Sequence, residues 1–113
     1  DFALWPGNDD TTIPLLSIGG SGVISVWANV MPREVHNMVM DYLEGRREQA
    51  VATAVKYLDL ANGLFMEVNP IPVKTALNMM GKEVGPFRLP LYEMTEAHQA
   101  ALWRLLHDAG VIA

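Results

Sequence analysis

Residues 22–26, which read GVISV, decide how this chain folds. Val23, Ile24 and Val26 are β-branched, which is typical of a strand. An earlier apolar run, FALW at residues 2–5, is ended by the turn-forming pair at positions 6 and 7. Neither run alternates cleanly between apolar and polar residues. They therefore predict two strands buried on both faces, as strands of parallel sheets are.

A short helical segment separates the two predicted strands. It follows cap-type residues at positions 8–12, contains Pro14, and should end by Ile18, before the glycines at 19 and 20. Strand, helix and strand together have about the length that a parallel crossover needs. Two strands alone do not make a stable sheet. We therefore interpret the chain as part of a longer protein whose other strands complete the sheet.

The rest of the chain has the periodicity of helices. Apolar residues recur at three- and four-residue spacing from position 32 onward. Gly45, Asn69-Pro70, Gly81 and Gly110 are the predicted stops. Thr95 is a predicted N-cap for the last helix. The helices are expected at about residues 32–44, 47–68, 72–80 and 96–109.

Composition excludes several classes of protein. The 113 residues carry a formal net charge of -5, and no lysine or arginine cluster is longer than two residues. Nucleic-acid binding is therefore disfavoured, since phosphate contacts need a concentrated basic face. The chain has no cysteine, which excludes disulfides and thiol catalysis. No apolar run reaches the length of a membrane span, and no signal peptide is evident, so we expect a cytoplasmic protein.

Few side chains suggest chemistry of their own. The run of Asn8, Asp9 and Asp10 lacks the alternating oxygens of a calcium loop, and is interpreted as caps for the following helix or as part of a site at the end of the first strand. An imine-forming lysine needs a desolvated pocket. The lysines fall on or near predicted helices, at Lys56, Lys74 and Lys82. We therefore expect no catalytic residue and no metal site in this segment.

Three stretches together resemble one enzyme family. They are residues 19–32 around GVISV, residues 69–74 (NPIPVK) and residues 88–91 (RLPL). They are similar to the C-terminal part of the dihydrodipicolinate synthase family, which are pyruvate-dependent (β/α)8-barrel lyases. The resemblance implies an α/β fold in which residues 1–45 are the last two parallel strands of the TIM barrel with their helices. Residues 46–113 would be a C-terminal helical extension.

The resemblance also implies a reaction. The family condenses pyruvate, held as a lysine Schiff base, with aspartate semialdehyde, in lysine and diaminopimelate biosynthesis. Ile24 would offer its backbone carbonyl beside the bound pyruvate, and Gly7 and Asn8 would line the mouth of the site. The Schiff-base lysine and a proton-shuttling tyrosine are expected upstream of Asp1. A homo-oligomer, dimer or tetramer, is implied, with no metal or other cofactor.

Two alternatives remain open from the residues alone. One is another pyruvate aldolase of the family, such as N-acetylneuraminate lyase or a sugar-acid aldolase. The other is a non-catalytic helical oligomerisation module. Trp27 is relevant to the first alternative, the choice of substrate within the family, because the family usually has a small residue at this position. Its indole is expected either to reshape the rim of the pocket or to pack under the helical extension.

Overall fold

Six α-helices and two short 3₁₀ turns form the regular structure of residues 2–113, the part of the chain that the computed structural model describes. The 3₁₀ turns are Asp9–Thr11 and Trp27–Asn29. The helices are α1 (Thr12–Ser17), α2 (Pro32–Leu43), α3 (Arg47–Lys56), α4 (Leu58–Gly63), α5 (Ile71–Met79) and α6 (Glu96–Asp108).

The two predicted strands are not formed within residues 2–113. The segments still lie side by side, because Ser21 N donates to the Leu4 carbonyl at 2.9 Å and Ile24 N donates to the Pro6 carbonyl at 3.0 Å. Pro6 has no N–H, so it cannot donate to the Ser21 carbonyl, which is the next hydrogen bond of a parallel ladder. The second bond is also shifted by one residue relative to the first. The prediction of regular strands is therefore not confirmed, while the pairing of the two segments is present.

The helices largely follow the predicted pattern. α2 ends before Gly45 and α6 before Gly110, as expected. Thr95 caps α6, since its side chain accepts a hydrogen bond from the His98 N–H. The helix expected over residues 47–68 is wrong as a single element. Its backbone leaves helical geometry at Tyr57, with φ −108° and ψ 10°, which divides it into α3 and α4.

The core lies between the helices rather than between the extended segments. α2 packs on α3, and α6 packs on both α4 and α5. The large side chains with the least exposure are Trp27, Met38, Leu64, Leu102 and Leu106. None of the helices formed by residues 2–113 is long and apolar enough to cross a membrane.

Candidate functional site

The residues predicted to bind substrate meet where the two extended segments run together. The hydrogen bond from Ile24 N to the Pro6 carbonyl holds residue 24 next to the start of the loop formed by Gly7 and Asn8. The structure thus brings Ile24 next to Gly7 and Asn8, although it lies 16 positions after Asn8 in sequence. Their contact with a substrate stays a prediction.

Ile24 is largely exposed. Its side chain is 70% exposed, and its carbonyl oxygen accepts no hydrogen bond from residues 2–113. A carbonyl oxygen carries two lone pairs and accepts from any N–H or O–H donor in reach. The Ile24 carbonyl is therefore available to a ligand or to another part of a larger site.

The loop at Gly7 and Asn8 is held by its own backbone. The Asn8 carbonyl accepts from the Thr11 N–H at 3.2 Å and from the Thr11 hydroxyl at 2.8 Å. Gly7 faces open space, since a Cβ added there would meet nothing within 4 Å. The Asn8 side chain is exposed. The loop is thus fixed in place while its outer surface remains free for a ligand.

A buried carboxylate joins the loop to the second segment. Asp9 is 6% exposed, and its Oδ1 accepts from the Ser25 hydroxyl. Its Oδ2 accepts from Val26 N at 3.0 Å and from Trp27 N at 3.1 Å. Asp9 therefore caps the 3₁₀ turn at Trp27–Asn29, not the helix that directly follows it in sequence. The prediction that the run 8–10 caps its own helix is wrong for Asp9.

The glycine-rich approach to Ile24 reflects close packing. A Cβ on Gly20 would lie 2.7 Å from the Leu15 carbonyl oxygen, and one on Gly22 would lie 2.6 Å from the Trp5 ring. No side chain fits at either distance. The glycines thus let the second segment approach α1 and the first segment, which positions the Ile24 carbonyl.

A cleft that the sequence did not reveal adjoins the loop. Its lining residues enclose about 170 Å³ and are Asn8, Asp10, Asn62 and Phe65. The cleft exists because α4 packs against the Asp9–Thr11 turn. Asn62 and Phe65 were missed because they lie more than 50 positions from Asn8, and nothing in the helical pattern signals that contact.

Trp27 is part of the core. Its side chain is 2% exposed, and its ring lies 5.6 Å from the ring of Tyr57 at the junction of α3 and α4. Of the two placements expected for this indole, the structure shows packing under the helical extension. The Trp27 ring therefore cannot act as an exposed rim for the site.

The lysines do not form a site of their own. Lys74 donates to the Pro86 carbonyl at 2.6 Å and lies 5.0 Å from the Phe87 ring centroid. Lys56 lies 4.9 Å from the Tyr57 ring centroid, and Lys82 is exposed. Within residues 2–113, no group of three or more His, Cys, Asp or Glu side chains is arranged to hold a metal ion.

Comparison with known proteins matches this chain to one enzyme family. The model of the dihydrodipicolinate synthetase family matches residues 1–109. A 4-hydroxy-tetrahydrodipicolinate synthase of Acetivibrio thermocellus is 48% identical over 112 residues, covering 99% of this chain and 38% of that protein. The protein of the same name from Clostridium tetani is 51% identical over 109 residues, covering 96% of this chain and 37% of its own length.

Solved structures agree with the sequence relatives. The crystal structure of dihydrodipicolinate synthase from Thermotoga maritima matches with a TM-score of 0.96 at 42% identity. The match covers 99% of this chain and 38% of that one. The chain therefore spans less than two fifths of the length of its relatives, and reproduces the fold of that part closely.

Proposed function

The chain belongs to the dihydrodipicolinate synthetase family, and from this premise we propose that it acts as the C-terminal part of a 4-hydroxy-tetrahydrodipicolinate synthase. The observation that carries the proposal is about 50% identity to synthases of that name over nearly the whole chain. The proposed reaction is condensation of pyruvate, held as a lysine Schiff base, with aspartate semialdehyde. The relatives support this reaction rather than another aldolase of the family or a non-catalytic module.

In this proposal, the chain supplies one wall of the active site. The Ile24 carbonyl would accept a hydrogen bond beside the pyruvate imine, and Gly7 and Asn8 would line the mouth. The free carbonyl oxygen of Ile24 and the open space at Gly7 support this role. Preorganised acceptors and donors of this kind need no rearrangement during the reaction.

The imine lysine and the proton-shuttling tyrosine would come from other strands of the (β/α)8 barrel. Lys74 is held by Pro86 and Phe87, which supports the view that it is not the imine lysine. Residues 1–45 would close the barrel, as its last two strands with their helices, and residues 46–113 would be the helical extension. The exposure of Phe2, Trp5 and Ile24 fits a surface that other strands cover.

The remaining parts of the proposal follow from the family. The enzyme would serve lysine and diaminopimelate biosynthesis in the cytoplasm, as a homodimer or homotetramer. It would need no metal or other cofactor, because the lysine imine itself activates pyruvate.

A chimera provides the test. Residues 1–113 replace the matching region of the Acetivibrio thermocellus synthase, and we expect the product to condense pyruvate with aspartate semialdehyde. Borohydride with pyruvate should trap an adduct on a lysine outside residues 1–113. Asn8→Ala should lower kcat/KM by about tenfold, the loss of roughly one useful hydrogen bond.

Asn37→Ala is the matched control, because Asn37 is exposed on α2 and is not among the residues that line the cleft beside the loop. It should leave kcat/KM unchanged. An adduct on Lys56, Lys74 or Lys82, or cleavage of N-acetylneuraminate in place of the condensation, would contradict the proposal.

A further inference from the structure

The peptide group between Ile24 and Ser25 is held on both sides. Before it, Ile24 N donates to the Pro6 carbonyl at 3.0 Å. After it, the Ser25 hydroxyl donates to Asp9 Oδ1, and Ser25 Oγ accepts from Ala28 N at 2.8 Å. A peptide group is planar, so contacts on both sides of it limit its rotation. These contacts therefore set the direction of the Ile24 carbonyl.

The carboxylate that anchors this peptide group is buried and has no cationic partner. Asp9 is 6% exposed, and its Oδ2 accepts from the backbone N–H groups of Val26 and Trp27. Among residues 2–113, no lysine, arginine or histidine forms an ion pair with it. Burial of a carboxylate is unfavourable unless hydrogen bonds compensate for the lost water. The carboxylate of Asp9 makes all of these hydrogen bonds with the segment directly after Ile24.

The Ser25 hydroxyl does more than cap the turn that follows it. By accepting from Ala28 N it satisfies a donor of the 3₁₀ turn, and its own proton is used for the link to Asp9. The Ile24 carbonyl accepts no hydrogen bond from residues 2–113. Its direction is thus fixed through its neighbours, which leaves the oxygen itself free for a ligand. An acceptor held in this way needs no rearrangement when charge develops beside it.

We propose that Asp9 and Ser25 are positioning residues, which act on the reaction through the Ile24 carbonyl and touch no substrate. The inference rests on the proposed function, in which this carbonyl lies beside the pyruvate imine. Loss of the link between Asp9 and Ser25 lets the peptide group rotate, which slows imine formation.

The experiment measures how fast and how completely borohydride traps pyruvate on the chimera. Ser25→Ala should lower the rate constant of trapping about tenfold, which corresponds to about one hydrogen bond, and leave the final extent unchanged. Partial unfolding would instead lower the extent and leave the rate constant as it was. Ser25→Thr keeps the hydroxyl and should restore the rate constant to within about threefold. Asp9→Ala, measured well below its thermal midpoint, should slow trapping at least as much as Ser25→Ala.

Thr75→Val is the matched control, because it removes another partly buried hydroxyl, one that donates to the Ile71 carbonyl within α5. It should change neither the rate constant nor the extent. In crystal structures of the chimera, the Ile24 carbonyl should turn in Ser25→Ala and keep its direction in Thr75→Val.

Two results would overturn the inference. One is an unchanged rate constant in Ser25→Ala, and the other is an Ile24 carbonyl that keeps its direction in that variant. If the unsubstituted chimera traps pyruvate and Ser25→Ala traps it equally fast, only the inference fails. If the unsubstituted chimera traps no pyruvate, the proposed function fails and the inference with it.

Discussion

Asp9 ties the two halves of the candidate site together. Its carboxylate accepts three hydrogen bonds from residues 25–27, and two of the donors are backbone N–H groups at the start of a 3₁₀ turn. A carboxylate at such a position satisfies donors that the turn itself leaves unpaired. The same contacts fix the chain directly after Ile24, so the direction of the Ile24 carbonyl depends on Asp9.

Replacing Asp9 should therefore destabilise the protein. Asp9→Ala leaves the N–H groups of Val26 and Trp27 without a partner in a largely buried place, a loss of about 2 kcal/mol. We expect the thermal midpoint of the chimera to fall by about 5 °C. Asp10→Ala, which removes a neighbouring but exposed carboxylate, should leave the midpoint within about 1 °C. Equal shifts for the two variants in a thermal melt would contradict the role assigned to Asp9.

Asp9 also shows which contacts of a single residue can be predicted from sequence. The run of Asn8, Asp9 and Asp10 is predicted from sequence to cap the following helix or to form part of a site. The prediction that Asp9 caps the helix directly after it is wrong, because a prediction from spacing considers only neighbours along the chain. The actual partners, Ser25 to Trp27, are brought there by the pairing of the two segments. Spacing within one element does not encode a contact of that kind.

At the scale of elements, one carboxylate links the loop before α5 to the start of α6. Glu67 Oε1 accepts from His98 Nδ1 at 2.7 Å and from Thr95 N at 3.2 Å. The hydrogen bond from His98 lowers the pKa of Glu67 below its ordinary value, and the hydrogen bond from the Thr95 N–H acts in the same direction. The N-cap of α6 is thus held from both sides, by Thr95 itself and by Glu67.

This link should make stability depend on pH. A carboxyl group whose pKa is lowered by folding stabilises the folded state above its ordinary pKa, and that contribution is lost as the pH falls through the lowered value. Between about pH 6 and pH 3, the thermal midpoint should fall more steeply in the unsubstituted chimera than in Glu67→Gln. Glu83→Gln, at an exposed carboxylate, is the control and should keep the original slope. Parallel slopes for Glu67→Gln and the unsubstituted protein would show that the link contributes nothing.

Element boundaries were predictable where a local signal exists. Helices begin or end where predicted at Gly45, Thr95 and Gly110, because a single residue type is enough to cap or stop a helix. The break at Tyr57 carries no such signal; it occurs where the Tyr57 ring packs on the buried Trp27. The absence of a regular ladder in the described residues also has a local cause in the sequence, since Pro6 cannot donate a backbone hydrogen bond.

At the scale of the whole molecule, the extended segments leave large apolar side chains uncovered. Phe2 is 86% exposed, Trp5 52% and Ile24 70%. By contrast, the contacts of α6 with α4 and α5 enclose Leu102 and Leu106 completely. The family resemblance, with its strand and turn motifs, predicted this fold. The cleft formed by α4 could not be predicted, because it arises from packing between distant parts of the chain.

The exposed apolar surface of the extended segments leads to a prediction for residues 1–113 produced alone. The helices should form, giving a helical far-ultraviolet circular dichroism spectrum, but the uncovered segments should bind a hydrophobic dye such as ANS and promote association. Phe2→Ser combined with Ile24→Ser should reduce dye binding, because the two substitutions remove apolar surface from the extended segments. Val55→Ser combined with Val68→Ser is the control, because both valines are similarly exposed, at 67% and 62%, but lie on the helical side. A monodisperse monomer that melts in one cooperative transition and binds no dye would instead support an independent helical module, since such a chain would need no further strands to cover it.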